Sequence, residues 1–199
     1  MSPFERITRH DDADPDDDVW VGGPQDATPI AVVAPDPSWP AHFEELATRV
    51  RSALGDRVLA LEHVGSTSVP DLPAKPIVDI DLTVADSSDE RSYVPALERV
   101  GFELRIREPR WHEHRCMVAT SPRANLHVWS PDSPEAIRHL MFRDWLREHP
   151  EDRALYAAAK RASAEESNAA GEAVMAYNLR KQPVIREILE RMFRAYGML

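Results

Sequence analysis

The chain has 199 residues, a formal net charge of -10 and a hydrophobic fraction of 43%. That length suffices for one domain with a real core, and the acidic balance argues against broad binding to nucleic-acid phosphates, though not against a local basic pocket for one nucleotide. No apolar run approaches the roughly 20 residues of a membrane helix, the polar N-terminus is unlike a secretory signal, and the one cysteine, Cys116, cannot form an internal disulfide, which fits a reducing cytoplasm.

Residues 1–28 read as a disordered acidic tail. They carry a charge of -6, and DDADPDDD has almost no apolar content and repels itself. Residues 29–199 read as the folded domain, with a sheet core to about residue 130 and a helical part from about residue 131. Ile30 to Val33 is a short strand or edge segment. Ser38 or Trp39 starts a helix with Pro40 in its first turn. Phe43, Leu46, Ala47, Val50 and Leu54 keep helical spacing, and Gly55 supplies the stop.

Val58 to His63 reads as the first main strand, followed by HVGSTS. Gly65 permits backbone conformations closed to other residues, so a ligand can approach closely. The amides and hydroxyls of Ser66, Thr67 and Ser68 can cradle phosphate oxygens. VPDLPAKP comes next, stiffened by three prolines. It presents Lys75, either a phosphate contact or an ordinary surface lysine. VDIDLTV is then a buried strand. Period two puts Asp79 and Asp81 on one face and Val78, Ile80, Leu82 and Val84 on the other. Ionising two carboxylates so close costs free energy that a divalent cation removes. Hard oxygen donors of this kind suit Mg²⁺ or Mn²⁺. The pattern points to a metal-dependent site that handles phosphate, and it is not a Walker loop.

Ser88 to Val100 is expected as a helix closed by Gly101, and Phe102 to Arg107 as a strand. His112 and His114, two apart, would share a strand face as a possible zinc pair. Arg115–Thr120 and Asn125–Trp129 form a predicted hairpin around SPRA. The rest is helical. One helix starts at Ser133-Pro134 and ends at His149-Pro150, one runs from Glu151 to Ser167, and one from Ala173 to Tyr196 with Pro183 as a possible bend. Arg143 could reach phosphate or pair with a carboxylate.

Gly-Ser, then twelve residues, then Asp-apolar-Asp resembles the signature of the nucleotidyltransferase superfamily, with its polymerase-beta-like fold. The longer stretch HVGSTSVPDLPAKPIVDIDLTV, with PDPSWP, NLHVWS, MFRDWLREHP, YAAAK and YNLRK, resembles the GrpB family over about Ile30 to Met192. The resemblance implies an α+β fold: a mixed, mostly antiparallel sheet, flanking helices, and a C-terminal helical layer closing over the site. It implies that Asp79 and Asp81 hold metal while Gly65, Ser66, Thr67 and Ser68 hold the β- and γ-phosphates of an NTP. Where the superfamily places a third carboxylate, this chain has His127, either a neutral metal ligand or the general base for an acceptor hydroxyl. Lys160 and Lys181, within YAAAK and YNLRK, could close the triphosphate pocket from the helical side.

The favoured reading is transfer of a nucleoside monophosphate from an NTP to an unknown acceptor. The catalytic set is Asp79, Asp81 and His127, and the binding set is Gly65, Ser66, Thr67, Ser68, Lys75 and Arg143. Two alternatives stand beside it. The missing third carboxylate, and the fusion of some relatives to a dephospho-coenzyme A kinase, suggest a non-catalytic nucleotide- or coenzyme-A-related binding module. The same carboxylates would also serve a metal-dependent phosphohydrolase.

Overall fold

The computed structural model describes residues 3–10, 17–23 and 28–199. Helix α1 (Pro3–Thr8) opens the chain, and α2 (Trp39–Leu54) carries the predicted apolar stripe, with Leu46, Ala47 and Val50 fully buried. Strands β1 (Ala60–Val64), β2 (Val78–Thr83), β3 (Phe102–Glu108), β4 (His114–Thr120) and β5 (Arg123–Trp129) make one sheet in the order β1-β2-β5-β4-β3. Only the β2–β5 pairing is parallel. The short α3 (Val94–Glu98) precedes β3, and α4 (Pro134–Glu148), α5 (Pro150–Ala169) and α6 (Val174–Ala195) complete the chain. The fold is the α+β arrangement expected, and no helix among the described residues is long and apolar enough to cross a membrane.

The two faces of the sheet have different fates. Ile80 and Leu82 of β2, Leu126 and Val128 of β5 and Met117 of β4 pack against α2 and α3 in the larger core. Alternation therefore turns Asp79, Asp81, Asn125 and His127 to the other face. That face looks toward α4–α6, which have their own core of Trp145, Leu146, Ile188, Leu189, Met192 and Phe193 with Val69 and Leu72. Two cores meeting across a polar sheet face leave a cavity between them.

Three expectations are corrected here. The helix expected from Ser88 to Val100 is a 3₁₀ turn, Glu90–Ser92, followed by α3. Pro95 lacks an N–H and its ring clashes with the carbonyl four residues back, which disfavours a helix interior there, and it stands instead in the first turn of α3, where that N–H has no partner to lose. His112 and His114 do not share a strand face: His112 and Glu113 both have positive φ in the turn before β4, and His114 begins that strand. Residues 1–28 were expected to lack structure, yet their described parts are tied down. Ile7 packs against the helical core, and Arg138 donates to the carbonyls of Ile7 and Arg9 at 3.0 and 2.7 Å. Val19 to Val21 pairs with the edge of β3. Small apolar groups within the acidic stretch, Ile7 and VWV, outweigh its mean composition locally; most of DDADPDDD, residues 11–16, lies outside the described residues.

Candidate active site

The cavity has a volume of about 490 Å³ and lies between the polar sheet face and α4–α6. Gly65, Ser66, Lys75, Asp79, Asn125, His127, Arg143, Lys160 and Lys181 all contribute to its wall. Asp81, Thr67 and Ser68 do not.

Gly65 follows β1 directly, with φ of +65°. A β-carbon there would lie 2.4 Å from Asp79 Oδ2, so only glycine lets the turn and the carboxylate meet. The following 3₁₀ turn, Ser66–Ser68, spends two of its hydroxyls internally. Ser68 Oγ donates to the Gly65 carbonyl at 2.6 Å, and Thr67 Oγ1 lies 3.0 Å from His63 Nε2. Both side chains are buried, so they hold the turn's shape and Ser66 alone is left to face a ligand. His63 braces the turn as well, stacked on Phe43; burial lowers its pKa to about 4 and keeps it neutral.

The parallel pairing sets Asp79 beside Asn125 and Asp81 beside His127. Asn125 Nδ2 donates to Asp79 Oδ1 at 2.8 Å. His127 Nε2 stands 3.9 Å from the same oxygen, close enough to attract but too long for a hydrogen bond. Burial opposes ionisation of Asp79, but His127, Asn125 and Lys75 together hold its pKa below the usual range. Asp79 Oδ2 receives no protein hydrogen bond among the described residues.

Asp81 is only 4% exposed and fully engaged. Trp129 Nε1 donates to its Oδ1 at 2.9 Å, and His139 Nδ1, from α4, lies 2.9 Å from its Oδ2. Burial disfavours a charge on His139, yet Asp81 prevails and raises its pKa to about 9. The imidazolium thus supplies the positive charge that the carboxylate pair demands. Sequence reasoning misses His139, because 58 residues separate it from Asp81. One signal existed: it lies one turn before Arg143 on the same helical face.

His127 heads a chain of polar contacts. Its Nδ1 is 3.0 Å from His114 Nε2, and His114 Nδ1 is 2.6 Å from Glu108 Oε2. Burial drives the His114 pKa far down, so that ring is neutral. With Glu108 accepting from His114 Nδ1–H, His114 Nε2 accepts from His127 Nδ1–H. His127 Nδ1–H is thereby turned to His114, and its Nε2 faces Asp79 and the cavity.

Arg143 reaches the wall but has its donors occupied. It bonds Glu62 and the His63 carbonyl, both at 3.0 Å, and Asp144 at 2.8 and 3.1 Å. The carboxylate-pairing alternative is the one the structure displays.

Among the described residues no group of three or more histidine, cysteine, aspartate or glutamate side chains is arranged to hold a metal ion. The donor chemistry nonetheless fits a hard divalent cation. Asp79 Oδ2 accepts no hydrogen bond among the described residues, His127 Nε2 faces the same space, and Asp81 carries a counter-cation in His139 with which a metal would compete.

The family model described as GrpB protein matches residues 29–191. A UPF0157 protein of Halalkalibacterium halodurans is 49% identical over 162 residues, spanning 81% of this chain and 82% of that protein. A protein of Mycolicibacterium paratuberculosis named dephospho-CoA kinase is 32% identical over 189 residues, and the match takes in 82% of this chain but 46% of that protein. The crystal structure of conserved protein GrpB from Enterococcus faecalis matches with a TM-score of 0.72 at 29% identity, covering 84% of this chain and 99% of that one.

Proposed function

The chain belongs to the GrpB family, and from that premise we propose that it is a metal-dependent nucleotidyltransferase, moving a nucleoside monophosphate from an NTP to an acceptor. One observation carries the reading. Asp79, Asn125 and His127 line a single cavity together with Lys75, Lys160 and Lys181, against a turn that only glycine permits, and Asp81 lies buried behind that wall in register with His127. Mg²⁺ or Mn²⁺ held by Asp79 and Asp81 would neutralise the triphosphate and polarise the α-phosphoryl group.

The chain's own residues do the rest. Gly65 and Ser66 let the phosphates approach the backbone. Asn125 orients Asp79 by its 2.8 Å bond. His127, with Nε2 free to accept, takes the acceptor hydroxyl's proton, and His114 and Glu108 fix the tautomer that makes this possible. Lys75 faces the same space with its ammonium over the Tyr177 ring.

The engagement of Asp81 by Trp129 and His139 favours a second reading, a nucleotide- or coenzyme-A-related binding module, and the relative named dephospho-CoA kinase is in keeping with it. Labelled NTPs separate the readings. Transfer of α-labelled phosphate to a component of a cell extract, with pyrophosphate released and both lost in Asp79→Ala/Asp81→Ala, is the expected result. Nucleoside monophosphate formed without an acceptor would indicate a phosphohydrolase. Binding without turnover would leave the module.

A further inference from the structure

The cavity wall formed by α5, α6 and the proline-rich loop holds three lysines around two tyrosine rings. Lys160 Nζ lies 4.6 Å from the centroid of Tyr156, one turn before it on α5. Lys75 Nζ lies 5.1 Å from that of Tyr177. Lys181 lies over both rings, at 5.9 and 5.2 Å, so the three ammoniums surround one patch. Lys160 is the most telling. The residue is 2% exposed, and its Nζ has no hydrogen-bond partner among the described residues. A buried structural lysine normally has a carboxylate or carbonyl partner. The carboxylates nearby on α5 are committed elsewhere: Asp152 to Trp145 and Arg191, and Glu166 to Arg180. Burial first, and then the repulsion of Lys181, lowers the pKa of Lys75 and of Lys160, and Asp79 across the cavity offsets this only in part.

We propose that Lys75, Lys160 and Lys181 form a subsite for a polyphosphate group of two or more phosphoryl units. A single carboxylate neutralises one ammonium and leaves the other two in conflict. A chain of phosphoryl groups neutralises all three, and compact ammoniums on flexible stems can each meet a different phosphoryl unit as point charges. The aromatic walls exclude water and strengthen the attraction. The inference rests on the proposed nucleotide chemistry for its biological sense. It deepens that reading by giving the terminal phosphates to the helical side, where Lys75 joins Lys160 and Lys181.

The test uses the whole chain in EDTA, so that it reads the lysines and not a metal. Calorimetric titration with tripolyphosphate and pyrophosphate is compared with inorganic phosphate and with citrate, a carboxylate of similar charge. Lys160→Met, Lys181→Met and Asp79→Asn/Asp81→Asn are run beside the wild type, with folding checked by circular dichroism. Tripolyphosphate is expected to bind more tightly than phosphate or citrate. Each lysine variant should lose at least tenfold in affinity, and the aspartate variant should bind as tightly or more tightly. No tripolyphosphate binding, equal binding of citrate, or undiminished binding by both folded lysine variants would overturn the subsite. Because metal-dependent NTP binding is measured separately, loss of either finding leaves the other readable.

Discussion

Lys160→Met should make the protein more stable while costing it a ligand. The wild-type ammonium is buried without a hydrogen-bond partner among the described residues, and its pKa is pushed down to about 7, first by burial and then by Lys181. Each pKa unit corresponds to about 1.4 kcal/mol, so keeping this group charged inside the fold costs a few kcal/mol. Methionine of similar length removes that cost but gives up the contact with Tyr156, about 1–2 kcal/mol when desolvated. The net expectation is a gain of roughly 1–3 kcal/mol near neutral pH, which for a domain of this size raises Tm by several degrees. The pH dependence has a definite sign. Between the folded value near 7 and the ordinary lysine value, the unfolded chain binds more protons, so wild-type stability rises with pH across that window. The advantage of the variant is therefore greatest at and below pH 7 and shrinks above it. Thermal unfolding of both proteins at pH 6 and pH 9, without added anions, measures this. A variant less stable than wild type at pH 6, or an advantage that grows toward pH 9, would refute the reasoning.

Gly65→Ala forces a β-carbon to 2.4 Å from Asp79 Oδ2 in a left-handed backbone conformation; a loss of about 2–4 kcal/mol in denaturant unfolding is expected, and unchanged stability would contradict the close approach. His139→Gln removes the counter-cation from Asp81 and should tighten Mn²⁺ binding by several-fold in calorimetry; weaker binding would instead make His139 a ligand. Arg143→Met breaks the contacts to Glu62, Asp144 and the His63 carbonyl and should cost about 1–2 kcal/mol of stability, with nucleotide affinity within twofold of wild type. A large affinity loss at unchanged stability would restore its phosphate role.

Features set by local periodicity or by a single special residue were legible in the sequence. The alternation in VDIDLTV places Asp79 on the cavity face, and the stripe from Phe43 to Leu54 gives α2. Gly65 could be read because one conformation excludes other residues. Features set by distant partners were not legible. Nothing near Asp81 in sequence reveals that Trp129 and His139 take its oxygens. Thr67 and Ser68 are the right residue types for phosphate, but whether a hydroxyl faces a ligand or its own turn depends on the backbone around it. Lys160 could be flagged within YAAAK, but that its ammonium finds no hydrogen-bond partner among the described residues emerges only once α5 and α6 pack. The docking of Ile7 and Val19–Val21 is hidden by averaging over an acidic stretch.

The most direct test of the central claim is calorimetric titration of ATP, CTP, GTP and UTP in the presence of Mg²⁺ or Mn²⁺, on wild type and Asp79→Ala/Asp81→Ala. The account predicts metal-dependent binding of at least one nucleotide by the wild type, and its loss in a double variant that circular dichroism shows to be folded. No binding of any nucleotide by the folded wild type, or equal binding by the double variant, would contradict it.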